Sequence, residues 1–323
     1  MQASVIGGVK MEHTFNNGQW SWYELMQSQM DEAAKYAEQY HSYKKWAEET
    51  KRNVSSILRV DTSERGKEAL WGSLVYFQDV EEKEGKRIFH FYLTKKHLFT
   101  DDLDLSILEN VDEDVMRKKM DEAECPVEGF MIMMGELINH FLEKIDVFEI
   151  RLRDLLWKIR EKNNIEILDQ TAKSRHELLV WQNLIIPIME IKYGIEETFG
   201  DDVSKGFHFK RASKRIERAY MLINEYDKEL KAMVELENTV STHRGNEIMK
   251  TLTVLTTLFT PVAAWGAIWG MNFKNMPELD WKLGYIFSWA VIALTTLALY
   301  VYLLKKGWMG DILRGKKKNS FFK

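Results

Sequence analysis

The chain has 323 residues, a formal net charge of −4 and a single cysteine, Cys125. A net charge this small, with no basic patch interleaved with aromatic residues, excludes nucleic acid as an expected partner. One thiol cannot form a disulfide framework, and it fits either a reducing compartment or the absence of a redox role. The first residues contain no apolar run long enough for a signal peptide, so we expect the charged part of the chain, residues 1–245, to stay in the cytoplasm.

The N-terminal part is predicted to combine a helix with a small sheet. Residues 19–50 are predicted to be helical, because acidic and amide residues mix there with aromatic ones. Short runs rich in β-branched and aromatic residues follow, separated by turn-forming residues. The predicted strands are 54–60, 69–77, 87–93 and 97–100. This order indicates an α/β domain.

Long helices are predicted after this domain. Helical periodicity runs from 129 to 160 and from 165 to 198. A third helix begins near Phe209 and has no clear stop before Gly270. Its apolar residues step by three and four, as in a helix that packs against partners along its length. Two separate helices with a break near Gly245 are the alternative, since one glycine costs a helix only about 1 kcal/mol and does not decide the question.

Two apolar runs near the C-terminus, Ile248 to Gly270 and Leu283 to Leu304, are candidate membrane spans. Each has about 22 residues, enough at 1.5 Å per residue to cross a hydrocarbon core of about 30 Å. Lysine and arginine residues precede the first run and follow the second, whereas charges in the loop between them balance. The positive-inside rule then places both termini in the cytoplasm. We predict a multi-pass protein of the cell membrane, in contact with lipid.

The two spans differ in kind. The second is bulky, has aromatic residues near both ends, and is predicted to face lipid. The first carries hydroxyl-bearing and small residues on one side, which favours a pore-lining helix, although each threonine hydroxyl can instead bond back to the carbonyl one turn earlier. One such helix cannot enclose a pore, so a symmetric homo-oligomer is predicted. The predicted pore-lining residues are Asn246, Met249, Thr253, Thr256, Thr260, Ala263 and Ala267.

The tripeptide Gly270-Met271-Asn272 closes the first span at the membrane face. A polar tripeptide in this position, between two spans, is predicted to form the mouth of a cation pore. An ordinary turn between two anchor helices is the alternative. Glu278 and Lys282 lie in the loop that follows. Glu278 is either a group that raises the local cation concentration or a solvated loop acid.

The sequence around the tripeptide resembles the CorA magnesium-channel superfamily. The motifs are Gly-Met-Asn-Phe at 270–273, Met-Pro-Glu-Leu at 276–279 and Trp-Lys-x-Gly-Tyr at 281–285, after a long helix. Asn246–Lys250 is similar to the cytoplasmic pore entrance of the family. The resemblance implies a homopentamer with a funnel-shaped cytoplasmic domain, in which the first spans line the pore and five copies of Asn272 ring its outer mouth.

The function implied by this resemblance is Mg²⁺ uptake driven by the membrane potential, with Co²⁺ and Ni²⁺ as further ions. Mg²⁺ gives up its waters reluctantly, and a ring of neutral carboxamides can hydrogen-bond the hydrated ion without stripping it. No cofactor is expected apart from Mg²⁺ as the transported ion and a possible regulatory ligand, and no catalytic constellation indicates an enzyme. The alternatives are a Zn²⁺ transporter of the same superfamily, proton-coupled or not, and a membrane-anchored scaffold without transport.

The pore helix departs from the family pattern at two positions. Thr260 stands where the family often has a bulky apolar residue, and Ala263 stands where it often has a threonine. Leu252 agrees with a hydrophobic constriction residue of the family and joins the predicted pore lining.

The regulatory metal site of the family is the third departure. It lies between subunits and uses an acid near the start of the long helix, where this chain has the basic stretch Lys210–Arg215. Basic residues cannot bind Mg²⁺, so we predict that other acids, Asp101, Asp102 or Asp104, serve regulation, or that gating depends only weakly on Mg²⁺.

The predicted fold class is therefore an α+β membrane protein, with an N-terminal α/β cytoplasmic domain, long stalk helices and two C-terminal transmembrane helices per chain. The predicted segments are the α/β domain 1–128, the long-helix stalk region 129–248, the pore-lining span 249–271, the external loop 272–282, the second span 283–304 and the basic cytoplasmic tail 305–323.

Overall fold

The structure is a computed structural model, and it divides the chain into two compact units. The first comprises Met1–Leu156 and Ile165–Lys231, and the second comprises Trp157–Asn164 and Ala232–Lys323. The structure describes residues 11–25, 42–108, 111–161, 165–274, 276–277 and 280–309.

One six-stranded sheet forms the centre of the first unit, in the order β1-β2-β6-β5-β4-β3. Neighbouring strands are antiparallel, except for β2 and β6, which run parallel. The four strands predicted between residues 54 and 100 are confirmed, with ends that agree within three residues. The strands are β1 Met11–Phe15, β2 Trp20–Leu25, β3 Ile57–Asp61, β4 Ala69–Gln78, β5 Lys86–Thr94 and β6 His97–Asp101.

The helix predicted for residues 19–50 is wrong at its start, because residues 20–25 form strand β2. Trp22 is fully buried, and its Nε1 donates a hydrogen bond to Thr100 Oγ1 of β6 at 2.9 Å. Parallel pairing with a strand more than seventy residues later is a non-local contact that local composition does not reveal. The prediction is confirmed at Ser42–Thr50, the first helix, and residues 26–41 lie outside the described part of the chain.

Long helices follow the sheet, as predicted. The helix from Phe207 runs without a break to Trp269, through the exposed Gly245, so the single-helix prediction is confirmed and the two-helix alternative is wrong. Its 63 residues correspond to a length of about 95 Å. In the described ranges the helices are α1 Ser42–Thr50, α2 Glu113–Asp121, α3 Pro126–Glu161, α4 Ile165–Phe199, α5 Asp201–Ser204, α6 Phe207–Trp269 and α7 Gly284–Lys305.

Among the residues that the structure describes, two helices are long and apolar enough to cross a membrane. They are α6, through its C-terminal part, and α7. Few of the residues in their most apolar stretches are buried inside the chain. Exposed apolar helices of this length need lipid or another protein around them. Their positions agree with the two predicted spans.

Gly129 on α3 makes a close contact with the sheet. A Cβ at this position would lie 2.3 Å from Cη2 of Trp20. The Trp20 ring is 2% exposed and its Nε1 donates to the Ala123 carbonyl at 3.0 Å, so the ring has little freedom to move. Gly129→Ala is therefore expected to destabilise the protein by about 1–3 kcal/mol and to lower the Tm of the purified full chain.

Gly245→Ala is the matched control for this prediction, because no atom lies within 4 Å of its Cβ position on α6. Alanine favours a helix over glycine, so the Tm should stay the same or rise. Equal losses of Tm in the two variants would contradict the packing argument at Gly129.

Candidate functional site

The C-terminal part of α6 has one face covered by α7. Val254 of α6 and Leu303 and Met309, from the second span and the turn after it, form a buried apolar cluster. Leu258 and Tyr300 pack against this cluster. Lys250 Nζ also donates to the Gly307 carbonyl at 3.4 Å. This contact is not among the predictions from the sequence, although Val254 and Leu258 have the i, i+4 spacing of a packing face.

The other face of α6 carries every residue predicted to line a pore, and all of them are exposed in the single chain. At 3.6 residues per turn, they fall within an arc of about 120°, on the side away from Val254. In the single chain, α7 covers this part of α6 around Val254 and Leu258, whereas the predicted pore-lining residues are exposed, as are aliphatic and aromatic side chains such as Leu255 and Phe259 beside them. The predicted pore-lining residues are Asn246, Met249, Leu252, Thr253, Thr256, Thr260, Ala263 and Ala267.

The threonine hydroxyls on this face bond back to the helix, as the alternative in the sequence analysis allowed. Thr253, Thr256 and Thr260 donate to the carbonyls of Met249, Leu252 and Thr256 at 2.8, 2.7 and 2.8 Å. This bond uses the hydroxyl proton and leaves the oxygen lone pairs as acceptors. A hydrated cation presents water hydrogens outward, so a row of acceptors suits it. The back-bonding is thus compatible with a pore-lining role.

The tripeptide directly follows Trp269, the last residue of α6. Gly270 N donates to the Gly266 carbonyl at 2.9 Å, which continues the helical pattern, and Phe273 N donates to the Met271 carbonyl at 3.1 Å in the turn that follows. A Cβ at Gly270 would lie 2.9 Å from the Gly266 carbonyl oxygen, so the tight helix end favours glycine. Asn272 is exposed directly after this end.

Part of the loop after the tripeptide lies outside the described residues, and Glu278 is among those. Lys282 is described and exposed. The ring of Trp281 lies 5.3 Å from that of Phe287 on α7, and the Trp265 and Trp269 rings of α6 stack at 5.2 Å. One aromatic pair thus lies at the end of α6 and another at the start of α7, next to the loop that joins them. Aromatic residues at such positions are typical of a membrane interface.

Asp101 is separate from the other two acids predicted to serve regulation. It ends β6, pairs with His90 of β5 and Leu25 of β2, and is fully buried. Neither of its carboxylate oxygens has a hydrogen-bond partner. Burial, with the charge of Asp102 as a second cause, raises the pKa of Asp101 from its ordinary value of 3.8 to about 7.

Asp102 and Asp104 instead line a polar cavity of about 530 Å³, together with Glu24 and Thr100. Asp104 Oδ1 is already used in the turn that follows, where it accepts from Ser106 N at 3.1 Å. In the described part of the chain, no three His, Cys, Asp or Glu residues are grouped to hold a metal ion. A regulatory metal site at these acids therefore stays a prediction.

Comparisons with known proteins agree with this architecture. A family model described as CorA-like Mg²⁺ transporter protein matches residues 17–306. The magnesium transport protein CorA of Bacillus subtilis is 40% identical over 303 residues, which cover 93% of this chain and 95% of that protein. The cobalt/magnesium transport protein CorA of Thermotoga maritima is 22% identical over 179 residues, or 55% of this chain and 51% of that protein.

The fold is also similar to a solved structure. The complete structure of the CorA magnesium transporter from Methanocaldococcus jannaschii superposes with a TM-score of 0.62, over 92% of this chain and 93% of that chain, at 15% identity. The family model and the Bacillus subtilis relative each match most of the sequence. The chain therefore belongs to the CorA-like Mg²⁺ transporter family.

Proposed function

We propose that this chain is one subunit of a homo-oligomeric channel through which Mg²⁺ enters the cell. The observation that carries the proposal is that the predicted pore-lining residues fall on one side of α6, away from Val254, which α7 covers. This exposed row of small and hydroxyl-bearing side chains ends at Gly270–Asn272. A ring of such helices encloses an acceptor-lined path, and the family resemblance implies five copies.

In this proposal, five Asn272 side chains form the outer selectivity ring. Gly270 and Met271 hold the helix end that positions them. Carboxamide oxygens accept hydrogen bonds from the water shell of the cation, and their lack of charge keeps the ion from being held too tightly. Leu252 and Met249 form the apolar constriction on the cytoplasmic side of the threonine rows. Lys282, in the external loop, and Glu278 then influence the local cation concentration by their charges.

The membrane potential is sufficient as a driving force. At about 2.3 kcal/mol per charge per 100 mV, a divalent cation gains roughly 4.6 kcal/mol on entering a cell that is 100 mV negative inside. This is more than three decades in concentration. In this proposal the chain lies in the cell membrane with both termini in the cytoplasm. Basic residues precede the first span and follow the second, and such residues favour the cytoplasmic side.

The names of the relatives support the choice of ion. The Bacillus subtilis protein is named for magnesium, and the Thermotoga maritima protein for cobalt and magnesium. We therefore take Mg²⁺ as the principal ion and Co²⁺ as a further ion, while Ni²⁺ is proposed from the family resemblance alone.

Ion flux into proteoliposomes tests this function. The purified full chain is reconstituted, an inside-negative potential is imposed, and Mg²⁺ and Zn²⁺ entry are compared with and without a proton gradient. Potential-driven Mg²⁺ entry is the expected result. Zn²⁺ entry that requires the proton gradient would replace this proposal with the Zn²⁺ alternative. No flux of either ion would favour the scaffold.

The threonine oxygens give a further prediction. Thr256→Val and Thr260→Val remove an acceptor from the exposed face but keep the shape of the side chain, so each should lower Mg²⁺ flux about three- to tenfold. Thr295→Val on α7 is the matched control, because Thr295 makes the same back-bond, to the Val291 carbonyl at 2.8 Å. Equal flux in all three variants would show that the hydroxyls of α6 do not face the ion.

A further inference from the structure

The polar cavity of about 530 Å³ that Asp102 and Asp104 line lies at the carboxyl ends of β2 and β6. These two strands are parallel, and β5 runs antiparallel to β6, so the start of β5 lies beside the end of β6 and adds a third wall. In α/β folds, ligands commonly bind beyond the carboxyl ends of parallel strands. The volume is also in the range of small-molecule sites. We call this space the strand-end cavity.

Two opposite charges face the strand-end cavity without meeting. Arg87, at the start of β5, and Asp102, directly after β6, both line it and are both exposed. In the described part of the chain, neither the guanidinium nor the carboxylate has an ion pair or a side-chain hydrogen bond. The charges of both groups nevertheless act on the buried hydroxyl of Tyr76, whose pKa is raised mainly by burial. Both groups therefore lie near one wall of the cavity.

Tyr76 also fixes the loop that carries the acids. Its hydroxyl donates to the Asp104 carbonyl at 2.9 Å and accepts from Asp104 N at 3.3 Å. Asp104 Oδ1 accepts from Ser106 N and Ser106 Oγ, at 3.1 and 2.6 Å, which leaves Oδ2 for another donor. The backbone that presents the two carboxylates is thus ordered before a ligand binds, which lowers the cost of binding.

The other charged groups of the cavity already have partners. Glu24 lies 3.7 Å from Arg117 and 3.8 Å from His13. Lys86 Nζ donates to the Val54 carbonyl at 2.8 Å, and Val54 lines a different cavity. A ligand therefore meets one guanidinium and two carboxylates.

These carboxylates favour an organic cation over a metal ion. In the described residues, no three His, Cys, Asp or Glu side chains are grouped to hold a metal ion. An ammonium group instead brings three hydrogen-bond donors of its own and can be bound by acceptors that are further apart.

We propose that the strand-end cavity binds a small amphoteric molecule with a carboxylate, an ammonium group and an apolar side chain, as in an α-amino acid. The planar guanidinium of Arg87 donates two hydrogen bonds to the carboxylate of the ligand. The ammonium group donates to Asp102 and to Asp104 Oδ2. The apolar side chain lies against the apolar part of the wall, which is formed by Leu25, Ile88, Leu103 and Ile107.

The arrangement selects a ligand that carries both charges. A ligand with one charge pairs with one side of the cavity and leaves the opposite protein group partly desolvated without a partner, which costs affinity. The cavity lies within the first compact unit, so this inference is independent of ion flux and goes beyond the proposed function.

Calorimetric titration of the full chain in detergent with L-leucine tests the site. Two analogues of the same shape each lack one charge: 3-methylbutylamine has no carboxylate, and 4-methylpentanoate has no ammonium group. Saturable binding of leucine is expected, with each analogue at least about tenfold weaker, because each loses hydrogen bonds to a charged partner.

Variants assign the binding to the cavity. Arg87→Gln and Asp102→Asn should each weaken leucine binding at least about tenfold, and Arg87→Lys should weaken it less than Arg87→Gln, because the charge stays but the fork is lost. In Arg87→Gln the advantage of leucine over 3-methylbutylamine should also disappear. Arg52→Gln and Asp202→Asn, at exposed residues outside the cavity, are the matched controls and should bind leucine as the wild type does.

The outcomes separate this site from its alternatives. Absence of saturable leucine binding overturns the proposal, and so does equal binding of leucine and either analogue. Titration with Mg²⁺ alone is the third arm: Mg²⁺ binding that Asp102→Asn removes, without leucine binding, would replace the proposal with a metal site. Leucine binding that survives both Arg87→Gln and Asp102→Asn would place the ligand elsewhere and overturn the site. Ion flux measured on the same variants tests the channel separately.

Discussion

Replacement of Asn272 by alanine is expected to abolish potential-driven Mg²⁺ influx, with a loss of more than about tenfold. The change removes the carboxamide of Asn272, which is exposed directly after α6, and with it the proposed acceptor for the water shell of the ion. A hydrogen bond to a charged or strongly polarised partner contributes about 1.5–3 kcal/mol, and 1.4 kcal/mol is a factor of ten. Five copies in a ring multiply the effect.

Asn272→Asp distinguishes binding from conduction at the same position. A ring of carboxylates attracts Mg²⁺ more strongly and releases it more slowly, so flux should saturate at lower Mg²⁺ with a lower maximum. Asn224→Ala is the control for loss of an amide elsewhere, since Asn224 only donates to the Tyr220 carbonyl on α6. Wild-type flux in Asn272→Ala, with the oligomer intact, would remove Asn272 from the ion path.

The second large expected effect is a dependence of protein stability on pH, caused by Asp101. This carboxyl is fully buried without a hydrogen-bond partner, and its pKa is raised to about 7. The folded protein therefore holds a proton that the unfolded chain releases near pH 4. The contribution of Asp101 to the free energy of unfolding is fully present below the pKa of the unfolded chain. It is lost as the pH rises toward 7. Between these values the loss amounts to up to about 4 kcal/mol.

Asp101→Asn removes the charge at every pH. The Tm of the variant, measured on the full chain in detergent, should exceed that of the wild type by several degrees at pH 8. The difference should shrink as the pH falls and should vanish or reverse near pH 4.5, where Asp101 is already protonated. Asp202→Asn, at an exposed acid of α5, is the control for the loss of a carboxylate elsewhere and should change the Tm at pH 8 by less than Asp101→Asn does. A difference that does not change with pH would contradict a neutral, buried Asp101.

The sequence was sufficient for the parts of this protein that local patterns encode. The two spans, the strands between residues 54 and 100 and the unbroken helix to Trp269 follow from periodicity and from length, which are local properties. The family resemblance also followed from the sequence, because the motifs at 270–273, 276–279 and 281–285 occur together between two C-terminal spans and after a long helix. The helix prediction was wrong at residues 20–25 because their conformation is set by pairing with β6, which lies far away in the sequence.

The candidate site divides in the same way. The residues of the exposed face of α6 share one side of a helix, and helical geometry alone predicts that. Only the tertiary structure decided that α7 covers the opposite face, through Val254 and Leu303. It also decided that Asp101 is buried while Asp102 lines a cavity. Burial depends on which distant elements pack together, and the identity of a residue does not contain that information.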